Sequence, residues 1–564
     1  MAAITHDQPA AVELSRPAGR WVLLATVLGS SMAMLDATVV NVALPTIGRY
    51  FGASLVGLQW TVTAYTLTLA GLILLGGALG DRLGRRRVFV TGVAWFAVAS
   101  ALCGLAPTIG VLIAARALQG VGGALLVPGS LAIIQATFTA HDRPRAVGAW
   151  SGLGGVAGAV GPLLGGWIVL AIGWRWVFLL NLPLAVIVIA VALGHVPETR
   201  DAAASGRFDV AGAVLAALAL AGITYALIEA PGGGGLAGPA AAALIGFAAA
   251  IGFVQVERRR GRSPGRTAPM LPLDVFASRQ FTAVNVVTFL VYGAFGGMLF
   301  LLVLQLQLVA GFSPLVAGTA LLPTTVLMLL LSSRAGGLAQ RIGPRWPMSV
   351  GTATCAAGLL LLTRIGPHAS YLGDVLPAVI VFGLGLTLTV APLTATVLAS
   401  AAVRHAGVAS GVNNAVARAA GLLAVAGLPA AVGLTAAGFH VPATFASGFR
   451  IAMVVCAVLL AAGSVISALA IDNDVLRPVP NHPVPEPECR TNCAVGGPPL
   501  EPCGDSSRTA DSRVSRLADP VRRRSRDAGP PRRAAAHPAW WPGRRRPRRD
   551  PARARPGSSP SSRS

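Results

Sequence analysis

The sequence predicts an all-α integral membrane protein with about fourteen membrane-spanning helices. Of its 564 residues, 54% are hydrophobic and only 12% are charged, whereas soluble domains run at about 25% charged. Apolar runs long enough to cross about 30 Å of hydrocarbon recur along the chain with short breaks as far as residue 471. The runs are continuous and do not alternate between polar and apolar residues, which favours helices over a membrane barrel.

Fourteen segments are the candidate spans. In order they are 21–44, 58–80, 88–106, 109–134, 145–170, 176–195, 209–229, 236–256, 282–309, 314–333, 347–364, 375–398, 408–434 and 446–471. The seventh and eighth are rich in Ala and Gly and are the least distinct. Without them the count falls to twelve, and the orientation of both flanks is unchanged.

The placement of basic residues predicts the orientation. The formal net charge is +23, and all 45 basic residues are arginines. With the N-terminus in the cytoplasm, twenty arginines of the apolar body fall in cytoplasmic segments and four fall outside. Basic residues are enriched in cytoplasmic loops, so both termini are expected in the cytoplasm, with the spans in the cytoplasmic membrane of the cell.

Two charged residues inside predicted spans are the first functional candidates, because a charge in the bilayer is costly and usually serves a function. Asp36 lies in the first span, where a carboxyl group is suited to bind and release a proton. Arg116 lies early in the fourth span, and Gln119 shares its helix face. A structural hydrogen bond for Asp36, or a fixed pair for Arg116, is the alternative.

The loop after the second span combines glycines with charges, in the sequence GALGDRLGRRR from residue 77 to 87. Glycine permits a tight turn between two helices, and Asp81 can pair with Arg85 or cap a helix. The pattern predicts a clasp that closes one face of the protein and releases on switching. The alternative is anchoring by positive charge on the cytoplasmic side, which explains part of the arginine content but not the whole string. Its candidate residues are Gly77, Asp81, Arg82, Gly84, Arg85 and Arg86.

The fifth span carries small residues at helical spacing. Gly154, Gly158, Gly161 and Gly165 follow one another at steps of four, three and four, which gives one smooth face for close helix contact. Pro162 removes a backbone donor and bends the helix, and Gly166 follows the same run. Ordinary packing and packing at a gate are both open.

Several polar side chains in the spans are weaker candidates for contacts with an amphipathic ligand, with helix packing as the alternative. They are Gln59, Trp60, Tyr65, Gln119, Gln305, Asn414 and Arg418.

The sequence does not indicate an enzyme. A phosphate-binding loop of the Gly-x-x-x-x-Gly-Lys type is impossible without lysine, and His-Glu-x-x-His does not occur. The Gly-x-Ser-x-Gly string at 261–265 follows an arginine run and not a predicted strand, so it does not indicate a nucleophile elbow. We expect no catalytic residue, no metal and no cofactor.

Taken together, these motifs resemble a known family. Residues 77–87 resemble the loop signature of the major facilitator superfamily, 116–123 its fourth-helix motif and 161–166 its fifth-helix antiporter motif. Residues 35–45 resemble the first-helix motif of its fourteen-span drug:proton antiporters, and 174–178 with 181–183 are also typical of that branch. The loop 334–343 is similar to a degenerate second copy of 77–87, with Gln340 where Asp81 would map.

The resemblance implies two six-helix bundles with two central helices inserted between them. The expected segments are a cytoplasmic N-terminus at 1–20, bundles at 21–195 and 282–471, and a linker with the two extra helices at 196–281. It implies export of amphipathic drugs or antibiotics by alternating access, driven by the proton gradient. By the same analogy Asp36 is a proton or cation site and Arg116 assists proton transfer. Asp81 and Arg85 latch the cytoplasmic gate, and Gly161 and Pro162 shape the fifth helix.

The remaining segment, 472–564, is rich in Pro, Arg, Ser and Asp, which predicts a disordered cytoplasmic tail.

The expected partners are a small amphipathic substrate, protons and the lipid bilayer, with no nucleic acid; the oligomeric state is left open. Two alternatives remain. One is a transporter of a specific small metabolite on the same fold, and the other is a membrane-anchored protein that binds through its arginine-rich tail.

Overall fold

The computed structural model describes residues 12–200, 209–232, 235–262, 270–271, 273–400, 406–434, 439 and 441–476. This part of the chain forms α-helices with only one isolated bridge between strands, Val12 with Phe138, so the predicted all-α class is confirmed. The helices are α1 (Pro17–Phe51), α2 (Leu55–Leu83), α3 (Arg85–Gly104), α4 (Ile109–Thr137), α5 (Arg143–Ala171), α6 (Trp176–Leu179), α7 (Asn181–His195), α8 (Val210–Glu229), α9 (Ala237–Arg262), α10 (Arg279–Leu304), α11 (Pro314–Thr319), α12 (Leu322–Ile342), α13 (Arg345–Leu362), α14 (Leu376–Ala399), α15 (Ala406–Ala431) and α16 (Pro442–Ala470). The predicted tail lies outside the described residues from 477 onward, and the predicted N-terminal segment does so as far as residue 11.

Thirteen of the fourteen predicted spans are, in the described part of the chain, long and apolar enough to cross a membrane. The helices α6 and α7 together form one of these crossings, and α11 with α12 forms another. The span predicted at 347–364 is α13, an 18-residue helix that begins with Arg345. Its length of about 27 Å is slightly less than the hydrocarbon thickness, and it packs between α14 and α16.

The crossings form two bundles, α1–α7 and α10–α16. Each bundle has a pair of helices in close backbone contact. A Cβ at Gly122 of α4 would lie 2.7 Å from the backbone nitrogen of Phe96 in α3, and one at Gly358 of α13 would lie 2.6 Å from that of Phe382 in α14. Small residues allow this approach in both halves, as is usual where helices pack in a membrane.

The inserted helices α8 and α9 pack against each other as a hairpin. Asp209 caps α8 by accepting from the backbone nitrogen of Gly212 at 2.5 Å, and it forms an ion pair with Arg260 of α9. The helix α8 lies against α2 of the first bundle and α15 of the second. At the end of α8, Glu229 accepts a 2.8 Å hydrogen bond from the Trp60 indole of α2. The insertion is therefore attached to both bundles.

Helix direction defines the two ends of the molecule. We call the end where α1 begins and α16 finishes the terminal side, and the opposite end the far side. On the terminal side, the backbone nitrogen of Leu14 donates to Asp142, at the start of α5, at 3.0 Å. Likewise, a Cβ at Gly343, between α12 and α13, would lie 2.4 Å from the side-chain oxygen of Asn473, just after α16.

Candidate functional site

Asp36 and Arg116 form an ion pair inside the first bundle, between α1 and α4. Both residues are only 1% exposed. Nη1 of Arg116 donates to Oδ2 of Asp36 and also to Oε1 of Gln119, the latter at 2.6 Å. Nε of Arg116 donates to the backbone oxygen of Thr61 at 3.1 Å. The pair gives each buried charge a partner, without which it would be very unfavourable.

Side-chain amides complete the shell around the Asp36 carboxylate. Its Oδ1 accepts from Nε2 of Gln119 at 2.8 Å and from Nδ2 of Asn181 at 3.4 Å. Both amides also donate to the hydroxyl of Ser100, at 3.1 and 2.9 Å. Both oxygens of Asp36 thus accept hydrogen bonds, which suits the ionised form of the carboxyl group.

The Tyr65 ring covers the pair from α2. The guanidinium carbon of Arg116 lies 4.3 Å from the centroid of this ring, within the range of a cation–π contact. Tyr65 is itself buried, and it interacts electrostatically with Arg116 and also with Arg418 of the second bundle. Tyr65 is therefore common to the surroundings of both arginines.

The loop between α2 and α3 lies on the terminal side. Nε and Nη2 of Arg85 both donate to Oδ1 of Asp81, at 3.0 and 2.8 Å. Gly77 and Arg82 belong to the last turns of α2. The geometry joins the end of α2 to the start of α3 through one charged contact, and the gating role of this loop stays a prediction.

The start of α3 has a further anchor, Glu198, which follows α7. Its carboxylate accepts from the backbone nitrogens of Arg86 and Arg87 at 3.1 and 3.2 Å, and it lies 3.8 Å from Nε of each arginine. A carboxylate at a helix N-terminus is favourable. Gly84 has φ of +116°, and a Cβ there would lie 2.5 Å from Glu198. Both the turn and the carboxylate therefore require glycine at this position.

The glycine face of α5 meets α1 just beyond Asp36. A Cβ at Gly161 would lie 2.0 Å from Oγ1 of Thr38, and one at Gly165 would lie 2.7 Å from Val39. Gly158, predicted on the same contact face, would meet nothing within 4 Å. The close contact is thus confined to the far half of the predicted face.

The same helix also meets the second bundle. A Cβ at Gly166 would lie 2.5 Å from the backbone oxygen of Pro314 in α11, and one at Gly318 would lie 2.2 Å from that of Pro162. The helix α5 therefore lies between the helix that carries Asp36 and the opposite bundle.

Two glutamines link the bundles toward the far side. Nε2 of Gln59, at the start of α2, donates to the backbone oxygens of Val425 and Ala426 in α15, at 2.8 and 3.0 Å. Nε2 of Gln307, just after α10, donates to the backbone oxygen of Val42 in α1 at 3.0 Å. Each of these hydrogen bonds must break for the bundles to separate on the far side.

A cavity of about 360 Å³ lies among α1, α10, α14 and α15. Its lining includes Met34, Tyr292, Val397, Asn413, Asn414 and Arg418. Asn413 is held by bonds to Asn285 and Thr288 of α10, at 3.2 and 2.7 Å. The Asn414 side chain is exposed. Of the seven weaker candidates, Asn414 and Arg418 line this cavity.

The other weak candidates lie elsewhere, and their role in substrate contact stays a prediction. Gln59 contacts α15, Trp60 bonds Glu229, and Tyr65 and Gln119 surround Arg116. Gln305 is buried in the second bundle, where it donates to the backbone oxygen of Ile365 at 2.9 Å.

Comparison with known proteins agrees with this architecture. Residues 26–425 match the Major Facilitator Superfamily. The chain belongs to this family. It is therefore a multi-pass membrane protein and a transporter of small molecules.

Among the relatives of this superfamily transporter is the tetracenomycin C resistance and export protein of Streptomyces glaucescens. The two are 35% identical over 435 residues, which cover 76% of this chain and 79% of the relative. The puromycin resistance protein pur8 of Streptomyces alboniger is 37% identical over 424 residues, or 74% and 83% of the two chains. The crystal structure of the POT family transporter PepTSo has the same fold, with a TM-score of 0.59 at 15% identity; the alignment covers 80% of this chain and 97% of that one.

Two residues of the transporter's charged network had no predicted role: Ser100 and Asn181. The family motif at 181–183 includes Asn181, but it did not indicate that the Asn181 side chain donates to Asp36. Glu198 was also missed, because a single acidic residue after a span resembles any solvated loop residue. The sequence signal that could have predicted its contact is an acidic residue after the sixth predicted span, which can pair with the arginine run at 85–87.

Proposed function

We propose that this transporter exports amphipathic drugs or antibiotics across the cytoplasmic membrane in exchange for protons. The observation that carries the proposal is the fully buried Asp36–Arg116 pair, on helices that contact the rest of the first bundle. Support for export comes from relatives named for resistance to, or export of, antibiotics. The arginine distribution supports both termini in the cytoplasm.

A proton acts by competing with Arg116 for Asp36. In the ionised pair both carboxylate oxygens accept hydrogen bonds, so an incoming proton must displace a donor. The protonated carboxyl group is neutral and holds the guanidinium more weakly. Arg116 then keeps the Thr61 carbonyl and the Gln119 side-chain oxygen as acceptors. Loss of the proton restores the ion pair.

The helix α5 provides a route from this event to the opposite bundle. Thr38 lies two residues beyond Asp36 and is in close contact with Gly161. Five residues further along α5, Gly166 meets Pro314 of α11. A shift of α1 on protonation would therefore displace α5 and change the bundle contact. The two glutamine links, Gln59 to α15 and Gln307 to α1, would break in the alternate state.

The driving force is sufficient for export without a cofactor. One proton that moves down a potential of 100 mV releases about 2.3 kcal/mol. This free energy sustains a gradient of roughly fiftyfold for a neutral substrate.

Reconstitution into proteoliposomes tests both the coupling and the direction. We expect an imposed pH gradient to drive ethidium against the ethidium concentration gradient. In the absence of an imposed pH gradient, an ethidium gradient should drive protons across the membrane in the opposite direction to the dye. An ethidium transport rate that does not depend on the pH gradient would reject proton coupling. Cotransport of the dye and protons in the same direction would reject exchange and favour the alternative, a transporter of a specific metabolite.

A further inference from the structure

Arg418 is a charged residue inside the second bundle. It lies on α15, at the cavity between α1, α10, α14 and α15. Its Nε atom is buried and has no hydrogen-bond partner. A guanidinium carries five N–H donors and keeps its charge in proteins. A guanidinium that has an unsatisfied donor and belongs to a residue lining a cavity is suited to bind an acceptor that enters the cavity.

Arg418 also lacks a counter-ion. Across the described residues, the ion pairs place no carboxylate against it. The titratable groups that interact with it are the hydroxyls of Tyr65 on α2 and Tyr292 on α10. Arg116, by contrast, is neutralised by Asp36. The wall of the cavity therefore carries one uncompensated positive charge.

The rest of the cavity defines the kind of molecule that fits. Met34 and Val397 provide apolar surface, and the exposed amide of Asn414 lies one helical turn before Arg418. A volume of about 360 Å³ is at the lower end of the range for sites that bind small organic ligands. An aromatic or aliphatic body with one acidic group matches this arrangement.

We propose that Arg418 binds an acidic group of the transported molecule, so that the preferred substrates are amphipathic organic anions. This inference rests on the proposed export function and specifies its substrate class. Arginine binds a carboxylate through two parallel hydrogen bonds, which gives both charge and orientation. The amide of Asn414 supplies a second polar contact beside it.

Equilibrium binding to the purified full-length chain tests the anion site directly. The probes are 9-anthracenecarboxylate and 9-anthracenecarboxamide, which share an aromatic body and differ in charge, titrated by their fluorescence. The wild type should bind the carboxylate about tenfold or more tightly than the carboxamide. In Arg418→Gln this preference should vanish while carboxamide binding persists. Arg418→Lys should keep part of it, because lysine has the charge but not the planar fork.

Two controls separate binding from folding. Arg450→Gln removes an exposed arginine of α16 and should leave the preference unchanged. The melting temperature of Arg418→Gln without probe should equal or exceed that of the wild type, because the variant removes a positive charge that has no counter-ion among the described residues. Equal affinity of the wild type for both probes, or parallel loss of both in Arg418→Gln, would overturn the proposal.

Transport of the same probes distinguishes this inference from the export function. If ethidium is pumped but the carboxylate is neither bound nor pumped in preference to the carboxamide, export stands and the anion site is rejected. If the carboxylate binds through Arg418 but no probe moves under a proton gradient, the anion site stands and the export function is rejected.

Discussion

Gly161 of α5 lies so close to Thr38 of α1 that a Cβ on the glycine would sit 2.0 Å from the threonine hydroxyl oxygen. Thr38 is two residues from Asp36, the acidic member of the buried pair. The contact therefore joins the proposed proton site to the helix that reaches the opposite bundle.

Gly161→Ala should impair the protein, because the added methyl group forces α5 away from α1. Overpacking of this kind costs about 1–3 kcal/mol, and we expect a lower melting temperature together with a fall in transport. Gly158→Ala is the matched control, since a Cβ there meets nothing within 4 Å. Adding Thr38→Ala to Gly161→Ala should restore part of the loss. Equal effects of the two alanine variants would contradict the account of this interface.

Glu198→Ala should loosen the start of α3. The carboxylate holds two backbone nitrogens and lies near two arginines, and losing such a cap costs about 0.5–2 kcal/mol. We expect a lower melting temperature and slower transport. Glu13→Ala removes an exposed acidic residue whose side chain contacts Arg16 and Ser15 at the surface and should have little effect. A Glu198→Ala variant as stable and active as Glu13→Ala would refute this role.

Gln59→Leu should shift the protein away from the arrangement described here. The change removes two hydrogen bonds between bundles, worth about 2 kcal/mol together, which corresponds to a change of roughly thirtyfold in the conformational equilibrium. The change can be measured with a cysteine introduced at Ala417, in the cavity wall, in a protein without other cysteines. A thiol reagent should label this cysteine more slowly in Gln59→Leu than in the parent protein.

Gln305→Leu provides the control for that experiment, because Gln305 bonds Ile365 within a single bundle. Its labelling rate should stay near that of the parent protein. If both glutamine variants change the rate alike, the far-side links do not set the conformation.

The sequence predicted the architecture well, because apolar run length and arginine placement depend little on tertiary detail. It also predicted Asp36 and Arg116 as functional residues, since each is a charge within an apolar span. Their ion pair was not predictable, because 80 residues separate them in the chain. Helical periodicity shows which side chains share one face of a helix, but not which other helix packs against that face. For the same reason Gln59 and Gln305, expected at a cavity, bond backbone carbonyls.

The two halves show why a motif alone does not specify its contacts. Gly84 and Gly343 both have positive φ between helices on the terminal side. Gly84 faces the carboxylate of Glu198, whereas Gly343 faces the amide of Asn473. The second loop also has Gln340 where Asp81 would map. Both changes remove a negative charge, so neither carboxylate of the first loop has a counterpart at the matching position of the second.

The most direct test of proton coupling at Asp36 is gradient-driven transport by Asp36→Asn in everted membrane vesicles, with Asp274→Asn as the control for an exposed aspartate. The probes are ethidium and 9-anthracenecarboxylate. The account predicts that wild type and Asp274→Asn concentrate a probe and release protons in exchange, while Asp36→Asn binds it but no longer concentrates it. Undiminished proton-driven accumulation by Asp36→Asn would contradict the central claim.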